Sequence, residues 1–149
     1  MNWIDEKAHI FGGVFILANR LQTLGDKFDE NLTTKQWLLL VGILKNESDA
    51  PAISEVANFI GNSRQNVKKM AIILEKKGFI TLEKDLVDAR ILRVRATDKC
   101  KIYLKQRESR ELEFFGKLYG GFDKNMIQSL NNGITRLLEN ISELEKNYV

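Results

Sequence analysis

Two short helical segments joined by about three residues place the tightest limit on the fold of this 149-residue chain. The first, residues 54–60, offers apolar side chains to a core, and the sequence Gly-Asn-Ser then interrupts it. The second runs from Ser63, a favourable N-cap residue, to Gly78, which suits the left-handed position after a helix. Two helices joined in this way, with a glycine in the turn, form a helix-turn-helix arrangement.

The second helix of the pair has two different faces at helical periodicity. The face predicted to point to the core carries Val67, Met70, Ala71 and Leu74. The opposite face carries Gln65, Lys68, Lys69, Ile72 and Lys76, flanked by Asn66 and Ile73. Cations mixed with amides suit nucleic acid, because Lys and Arg neutralise phosphates while Gln and Asn can bond base edges. A merely solvated face usually includes Glu to pair with Lys, and only Glu75 is so placed here.

A β-hairpin is predicted directly after this helix, with strands at 79–83 and 91–96 and a turn of sequence KDLVDAR between them. Apolar and basic side chains alternate along the second strand: Leu92, Arg93, Val94, Arg95 and Ala96. This alternation predicts one face on a core and one basic face outside. The basic face has two interpretations, a solvated strand edge or a contact with phosphates.

Basic residues are concentrated between positions 61 and 101. This segment holds eleven Lys and Arg residues and five acids, a net charge of +6, so the rest of the chain carries −3 of the total of +3. The split favours a face that binds a polyanion. A solvated charged surface is the alternative.

Four further helices are predicted before and after the helix-turn-helix and the hairpin. The first covers residues 5–24 and ends at Gly25. The next begins at Thr33, which has capping-box spacing to Gln36, and its apolar body at 37–44 should be central to a core. Another is capped by Thr97 and extends to about residue 116 or 122.

A last helix, starting near residue 123, has apolar residues at alternating intervals of three and four: Ile127, Leu130, Ile134, Leu137, Ile141, Leu144 and Tyr148. This is a heptad seam with Ile at a and Leu at d over three repeats. The pattern alone is compatible with a parallel coiled coil. We expect a homodimer.

The order of these elements resembles the MarR family of bacterial transcription regulators over nearly the whole chain. The matching motifs are LTTKQW at 32–37, ISEVA at 53–57, SRQNVKK at 63–69, LEKKGFI at 74–80 and DARILRVRAT at 88–97. The sequence departs from the family pattern at Ala96 and Cys100, where a bulky aliphatic residue and a glycine are usual. The resemblance implies a mainly α fold with a small β-hairpin wing, consisting of a winged helix-turn-helix lobe at 32–97 and a helical dimerisation region at 1–31 and 98–149.

The resemblance also implies roles for individual residues. The DNA-binding residues would be Ser63, Arg64, Gln65, Asn66, Lys68, Lys69, Asp88 and Arg90. Within the wing, Asp88 would orient Arg90, and Arg90 would contact the DNA backbone or the minor groove, whose negative potential attracts arginine. The dimerisation residues would be Ile10, Val14, Leu17, Ile127, Leu130, Ile134, Leu137, Ile141 and Leu144.

The function implied is that of a dimeric repressor on a pseudo-palindromic site in double-stranded DNA, released by a small aromatic effector ligand. Two alternatives stay open. One is a winged-helix module that binds proteins or packs DNA without sequence preference. The other is a thiol redox sensor at Cys100, whose neighbours Lys99 and Lys101 could lower its pKa.

Several function classes are excluded on the sequence. A single cysteine and a single histidine, His9, leave no intramolecular disulfide and no usual metal cluster. With no glycine-rich phosphate loop and no nucleophile beside an evident base, we expect neither an enzyme nor a cofactor. The longest apolar run, 37–44, is far shorter than the ~20 residues of a membrane span, and no signal sequence is evident, so we expect a cytoplasmic protein with no membrane partner.

Overall fold

A computed structural model of the protein describes residues 2–148, which form six helices and one two-stranded antiparallel sheet. In chain order these are α1 (Trp3–Phe28), α2 (Thr34–Leu44), α3 (Ile53–Ile60), α4 (Arg64–Lys76), β1 (Ile80–Lys84), β2 (Leu92–Ala96), α5 (Asp98–Leu118) and α6 (Lys124–Tyr148). The predicted mainly α fold with a β-hairpin wing is confirmed. Not one of these helices has the length and apolar character that crossing a membrane requires.

The chain divides into two compact units, Met1–Lys105 and Gln106–Val149. The first unit has a hydrophobic core built from α2, α3, α4, the sheet and the start of α5. Its buried members are Leu32, Leu39, Leu40, Ile43, Ile53, Val56, Ala57, Val67, Ala71, Leu74, Phe79, Ile80, Val94 and Cys100. We expected α2 to be central to the core, and its residues Leu39, Leu40 and Ile43 are buried there. Trp37 is partly buried and packs against the same core.

The first helix is longer than the sequence pattern predicted, because Gly25 does not end it. Instead α1 continues to Phe28, and Gly25 lies where α1 meets the first turn of α2. A Cβ atom at this position would collide with the hydroxyl of Thr34. That hydroxyl donates to the carbonyl of Gln22 (3.1 Å), and the Thr34 amide donates to the Asp26 carboxylate (2.8 Å). Gly25 therefore allows close approach of two helices.

The helix caps expected from local spacing are present. Thr33 and Gln36 form the reciprocal capping box that starts α2. The hydroxyl of Thr97 accepts the amide hydrogen of Cys100 (3.2 Å) at the start of α5. In the second unit, the Asp123 carboxylate accepts the Met126 amide hydrogen (2.8 Å) and caps α6. Each cap satisfies an amide that has no partner within its own helix.

The sheet pairs β1 with β2 so that Ile80 lies opposite Ala96 and Lys84 opposite Leu92. The other edge of β2 is also covered. There the amide of Val94 donates to the carbonyl of Pro51 (3.0 Å), next to a single bridge between Ala52 and Arg93. The loop that leads into α3 is thus attached to the hairpin.

The end of α4, β1 and the start of α5 meet at Gly78. Its positive φ of 81° allows the amides of Gly78 and Phe79 to bond back to the carbonyls of Glu75 (2.9 Å) and Leu74 (3.0 Å), a Schellman ending. The carbonyl of Gly78 then accepts the Thr97 hydroxyl (2.6 Å). These contacts join the helix, the hairpin and α5, and we call this group the Gly78 junction.

Both compact units expose apolar side chains. On α6 the six predicted seam residues from Ile127 to Leu144 are each between 38% and 53% exposed, and ion pairs such as Arg136 with Glu139 (3.5 Å) lie elsewhere on the same helix. On α1, Ile10, Val14 and Leu17 are between 49% and 60% exposed. Because large exposed apolar surfaces are unfavourable in water, these helices need a covering surface.

We expect Gly25→Ala to lower the free energy of unfolding by about 1–3 kcal/mol, as overpacking at a helix contact typically does. Combined with Thr34→Ala, which removes the colliding hydroxyl, the added cost of the alanine should fall to near zero or become favourable, since Ala is the better helix former. Urea denaturation at fixed protein concentration measures the free energy of unfolding of the wild type, the single variants and the double variant. Thr34→Ser is the matched control, because it keeps the hydroxyl and should give no relief. Equal costs of Gly25→Ala in all three backgrounds would refute the assigned contact.

Candidate nucleic-acid interface

The helix α4 is held rigidly at both ends. Gly61, with φ of 72°, allows the tight turn from α3, and the hydroxyl of Ser63 accepts the Asn66 amide hydrogen (3.1 Å) to start the helix. Along its length Val67, Ala71 and Leu74 are buried. Since these residues fix the rotation of α4, the opposite face must point to solvent.

The outward face at the start of α4 is strongly basic and free of acids. Its side chains are all exposed: Ser63, Arg64, Gln65, Asn66, Lys68 and Lys69. Within residues 2–148, Arg64, Lys68 and Lys69 form no ion pair with another side chain. Their charges are therefore available to an external anion.

Glu75, the one acid of this helix, does not pair with a lysine as its spacing suggested. Its carboxylate instead accepts the backbone amide of Leu82 in β1 (2.8 Å). This bond secures the strand to the helix, and it keeps the only carboxylate of α4 in a hydrogen bond with β1.

The two amide side chains on the face differ in how far they are engaged. Asn66 donates to the side-chain oxygen of Asn62 (3.3 Å), which also accepts the Ser63 amide (2.8 Å). Gln65 has no such partner within the described residues, so both ends of its amide can bond a base edge. The Ser63 hydroxyl accepts the cap bond and retains its own proton to donate outward.

The turn of the hairpin is organised by Asp85, which the sequence analysis did not single out. One carboxylate oxygen accepts the amides of Val87 (3.1 Å) and Asp88 (2.9 Å), and the other accepts Nε of Arg93 (2.6 Å). These bonds, led by the Asp88 amide and then the Arg93 side chain, lower the pKa of Asp85 to about 2. An aspartate at the start of a turn was a usable sequence signal. No feature of the sequence indicated that Asp85 pairs with Arg93.

The predicted partnership of Asp88 and Arg90 is present as a two-pronged contact. The Nε and one terminal nitrogen of Arg90 donate to the two oxygens of Asp88 (3.0 and 2.9 Å). This contact lowers the pKa of Asp88. The Arg90 side chain is still 90% exposed, so its remaining N–H groups can reach an external acceptor while the acid limits its rotamers.

Of the two other hairpin arginines, Arg93 fits neither interpretation made from the sequence. Besides Asp85, it donates to the carbonyl of Ala50 (3.0 Å), so it joins the wing to the loop before α3. Arg95 lies near Glu83 on the paired strand (3.4 Å), with both side chains about half exposed. Its role as a solvated pair or a phosphate contact stays a prediction.

Two lysines within the basic segment also have internal partners. Lys77 donates to the carbonyl of Asn31 (2.7 Å), and Lys99 donates to the carbonyl of Lys77 (2.7 Å) at the end of α4. Cations stabilise the negative end of a helix. Both carbonyls are neutral, so these bonds hold the two lysine side chains in place without cancelling their positive charges.

The suggestion that neighbouring lysines activate Cys100 is wrong. The cysteine is fully buried in the core. Burial raises the pKa of its thiol and outweighs the opposite effect of Lys101. A buried, protonated thiol is a poor nucleophile, so Cys100 acts here as a small core residue.

No protein-family model and no curated protein matches this sequence, but solved structures share its fold. A MarR protein from Peptoclostridium difficile is 20% identical, with 91% of this chain and 88% of that chain covered and a TM-score of 0.79. MepR from S. aureus, in a complex with DNA, is 16% identical with 88% and 97% covered and a TM-score of 0.75. The regulator PcaV from Streptomyces coelicolor, in complex with its natural ligand, is 18% identical with 83% and 89% covered and a TM-score of 0.69. These similarities establish that the chain has the MarR-type winged-helix fold.

We expect Asp85 to titrate near pH 2 in the folded protein. Since this pKa is below the ordinary value of 3.8, the carboxylate stabilises the wing fully above about pH 4 and loses this effect as the pH falls toward 2. Carbon-detected NMR titration of the carboxyl measures it. In Arg93→Gln the pKa should rise only partly, because the Asp88 amide is the larger cause. An ordinary pKa in the folded wild type would contradict the assigned turn.

Proposed function

We propose that this chain is a MarR-family transcription regulator that binds double-stranded DNA as a homodimer. The observation that carries the proposal is the exposed, acid-free face at the start of α4, where Arg64, Lys68 and Lys69 form no ion pair within residues 2–148. The shared fold with a protein solved on DNA supports it.

The side chains on this surface divide into two roles. Arg64, Lys68 and Lys69 neutralise phosphates, and the Ser63 hydroxyl donates to another phosphate oxygen. Gln65 and Asn66 read base edges in the major groove, with adenine as the best match for an amide. Gln65 is the stronger candidate because Asn66 already donates to Asn62.

The wing contributes from the neighbouring minor groove. Arg90, held by Asp88, enters this groove or contacts its phosphates. Because the contact with Asp88 restricts the arginine before binding, less side-chain freedom is lost in the complex.

A homodimer explains the apolar surfaces on both units. The residues proposed to be covered by a second copy are Ile10, Val14, Leu17, Ile127, Leu130, Ile134, Leu137, Ile141 and Leu144, all exposed in the single chain. Residues 32–97 would then be the DNA-binding lobe, and 1–31 and 98–149 the dimerisation region. Two-fold symmetry requires a pseudo-palindromic operator with half-sites about one turn, or ~10 bp, apart.

We further propose that the protein represses transcription and that a small aromatic effector releases it. PcaV, which shares the fold, was solved with its natural ligand, which supports a ligand-responsive regulator. Such a ligand works only if it binds one arrangement of the dimer better than the DNA-bound one. A redox mechanism through Cys100 is disfavoured by the burial of its thiol.

We expect Arg90→Ala to weaken operator binding by at least about tenfold, because a restrained groove contact is lost. The dimer mass and the melting temperature should stay nearly unchanged, since the side chain is 90% exposed. Fluorescence anisotropy and light scattering measure the two effects. If affinity falls because the dimer dissociates or the chain unfolds, the role assigned to Arg90 is wrong.

We expect Gln65→Ala to relax base preference more than it lowers affinity for unrelated DNA. Lys69→Ala should lower both affinities and flatten their salt dependence, because it removes one phosphate contact. Binding to the operator, to single-base variants and to unrelated DNA at two salt concentrations separates the effects. Identical behaviour of the two variants would reject the division of roles along α4.

The first test of the proposed function is binding to the DNA directly upstream of the protein's own gene, against unrelated DNA at two salt concentrations. Specific binding of two protomers per site at the higher salt supports a local regulator. Equal, strongly salt-sensitive binding to both DNAs leaves only the electrostatic contribution. That result would favour a non-specific architectural protein.

A further inference from the structure

The tip of the wing carries two fully exposed aliphatic side chains, Leu86 and Val87. Their relative exposures are 102% and 97%, higher than those of every other large exposed hydrophobic residue in the described chain. They contribute nothing to the hydrophobic core of the single protomer. Their apolar surface remains in water unless a partner covers it.

The turn that presents them is ordered. Asp85 accepts the amides of Val87 and Asp88, the Asp85 amide donates to the carbonyl of Ile91 (3.0 Å), and the Ile91 amide donates to the carbonyl of Asp88 (3.0 Å). Arg93 holds the Asp85 carboxylate from the strand. A restrained turn loses little conformational freedom on binding, so the two side chains are already positioned for a contact.

These side chains differ from the apolar surfaces proposed to be covered in a dimer. The latter lie on long helices at helical spacing, whereas Leu86 and Val87 are adjacent residues in the loop between β1 and β2. They lie between Lys84 and Arg90, and the acids Asp85 and Asp88 beside them are each bonded to an arginine. The tip of the wing therefore consists of two apolar side chains flanked by residues with a small net positive charge.

Two side chains offer too little area to bind a separate partner by themselves, because association has a large entropic cost. They can add to a complex that other residues have already positioned. In the same compact unit, α4 supplies Arg64, Lys68 and Lys69 for such a complex with DNA, and these cations form no ion pair within the described residues. Aliphatic side chains from architectural proteins enter the minor groove, where they contact the sugars and open base steps.

We propose that Leu86 and Val87 enter the minor groove beside Arg90 and favour operators whose base step at the wing opens easily. This inference rests on the proposed function and adds a specificity determinant to it. Pyrimidine–purine steps such as TA deform readily and A-tracts resist deformation. The wing therefore responds to how easily the DNA deforms at a base step that α4 does not contact.

The test compares the double variant Leu86→Ala/Val87→Ala with Leu44→Ala, a control that shortens an aliphatic side chain 42% exposed at the end of α2. Hydroxyl-radical footprinting of the wild type and Arg90→Ala first locates the wing on the operator. Anisotropy then measures affinity for duplexes with TA or an A-tract at that position, at several salt concentrations.

We expect the double variant to bind the TA operator about tenfold more weakly and to lose most of the preference for TA over the A-tract. Its salt dependence should equal that of the wild type, because no phosphate contact is removed. Leu44→Ala should behave as the wild type. Unchanged circular dichroism and melting temperature would show that the variants fold.

Wild-type affinity and step preference in the double variant, while Arg90→Ala still weakens binding, would overturn the inference and leave the proposed function standing. Failure of the wild type itself to bind DNA specifically would overturn both. Vesicles of phosphatidylcholine and phosphatidylserine test the other surface that an apolar, cationic tip could enter. Vesicle binding that the double variant abolishes, with DNA binding unaffected, would reassign the tip to a membrane.

Discussion

The Gly78 junction determines how α4 and the wing are presented together. Leu74 is buried near the end of the helix, and Phe79 enters the same core three residues after Lys76, the last residue of the helix. Only a residue that tolerates positive φ connects them in this geometry. The Thr97 hydroxyl then bonds the Gly78 carbonyl and caps α5. Movement of the helix end would therefore disturb β1 and α5 together, which keeps the basic face and the hairpin in one arrangement.

The basic residues around this junction serve two purposes, which their charge alone does not distinguish. Lys77, Arg93 and Lys99 donate to backbone carbonyls and hold separate segments together. Those at the start of α4 have no internal acceptor within the described residues. The difference arises because long cationic side chains bond whichever carbonyl lies within reach. Within residues 2–148, the three cations at the start of α4 are thus available to an external polyanion.

Local features of the fold were predictable and distant ones were not. Thr33, Ser63 and Thr97 cap their helices through amides three residues away, so the short sequence spacing contains the whole interaction. Gly25 was misread because glycine often ends helices, whereas its reason here is the hydroxyl of Thr34 on the next helix. Cys100 was misjudged for a similar reason, since neighbouring lysines are visible in the sequence and burial is not.

The sequence by itself determined the helices, the hairpin and the composition of the face on α4. The pairing of Asp88 with Arg90, which the resemblance to the MarR family implied, spans only two residues within one turn. Tertiary structure alone decided that Arg93 bonds the carbonyl of Ala50, 43 residues away in the chain, and that Leu86 and Val87 stand fully in solvent. Periodicity and capping act between near neighbours. Which carbonyl an arginine meets, or whether an aliphatic side chain is covered, depends on where the folded chain returns in space.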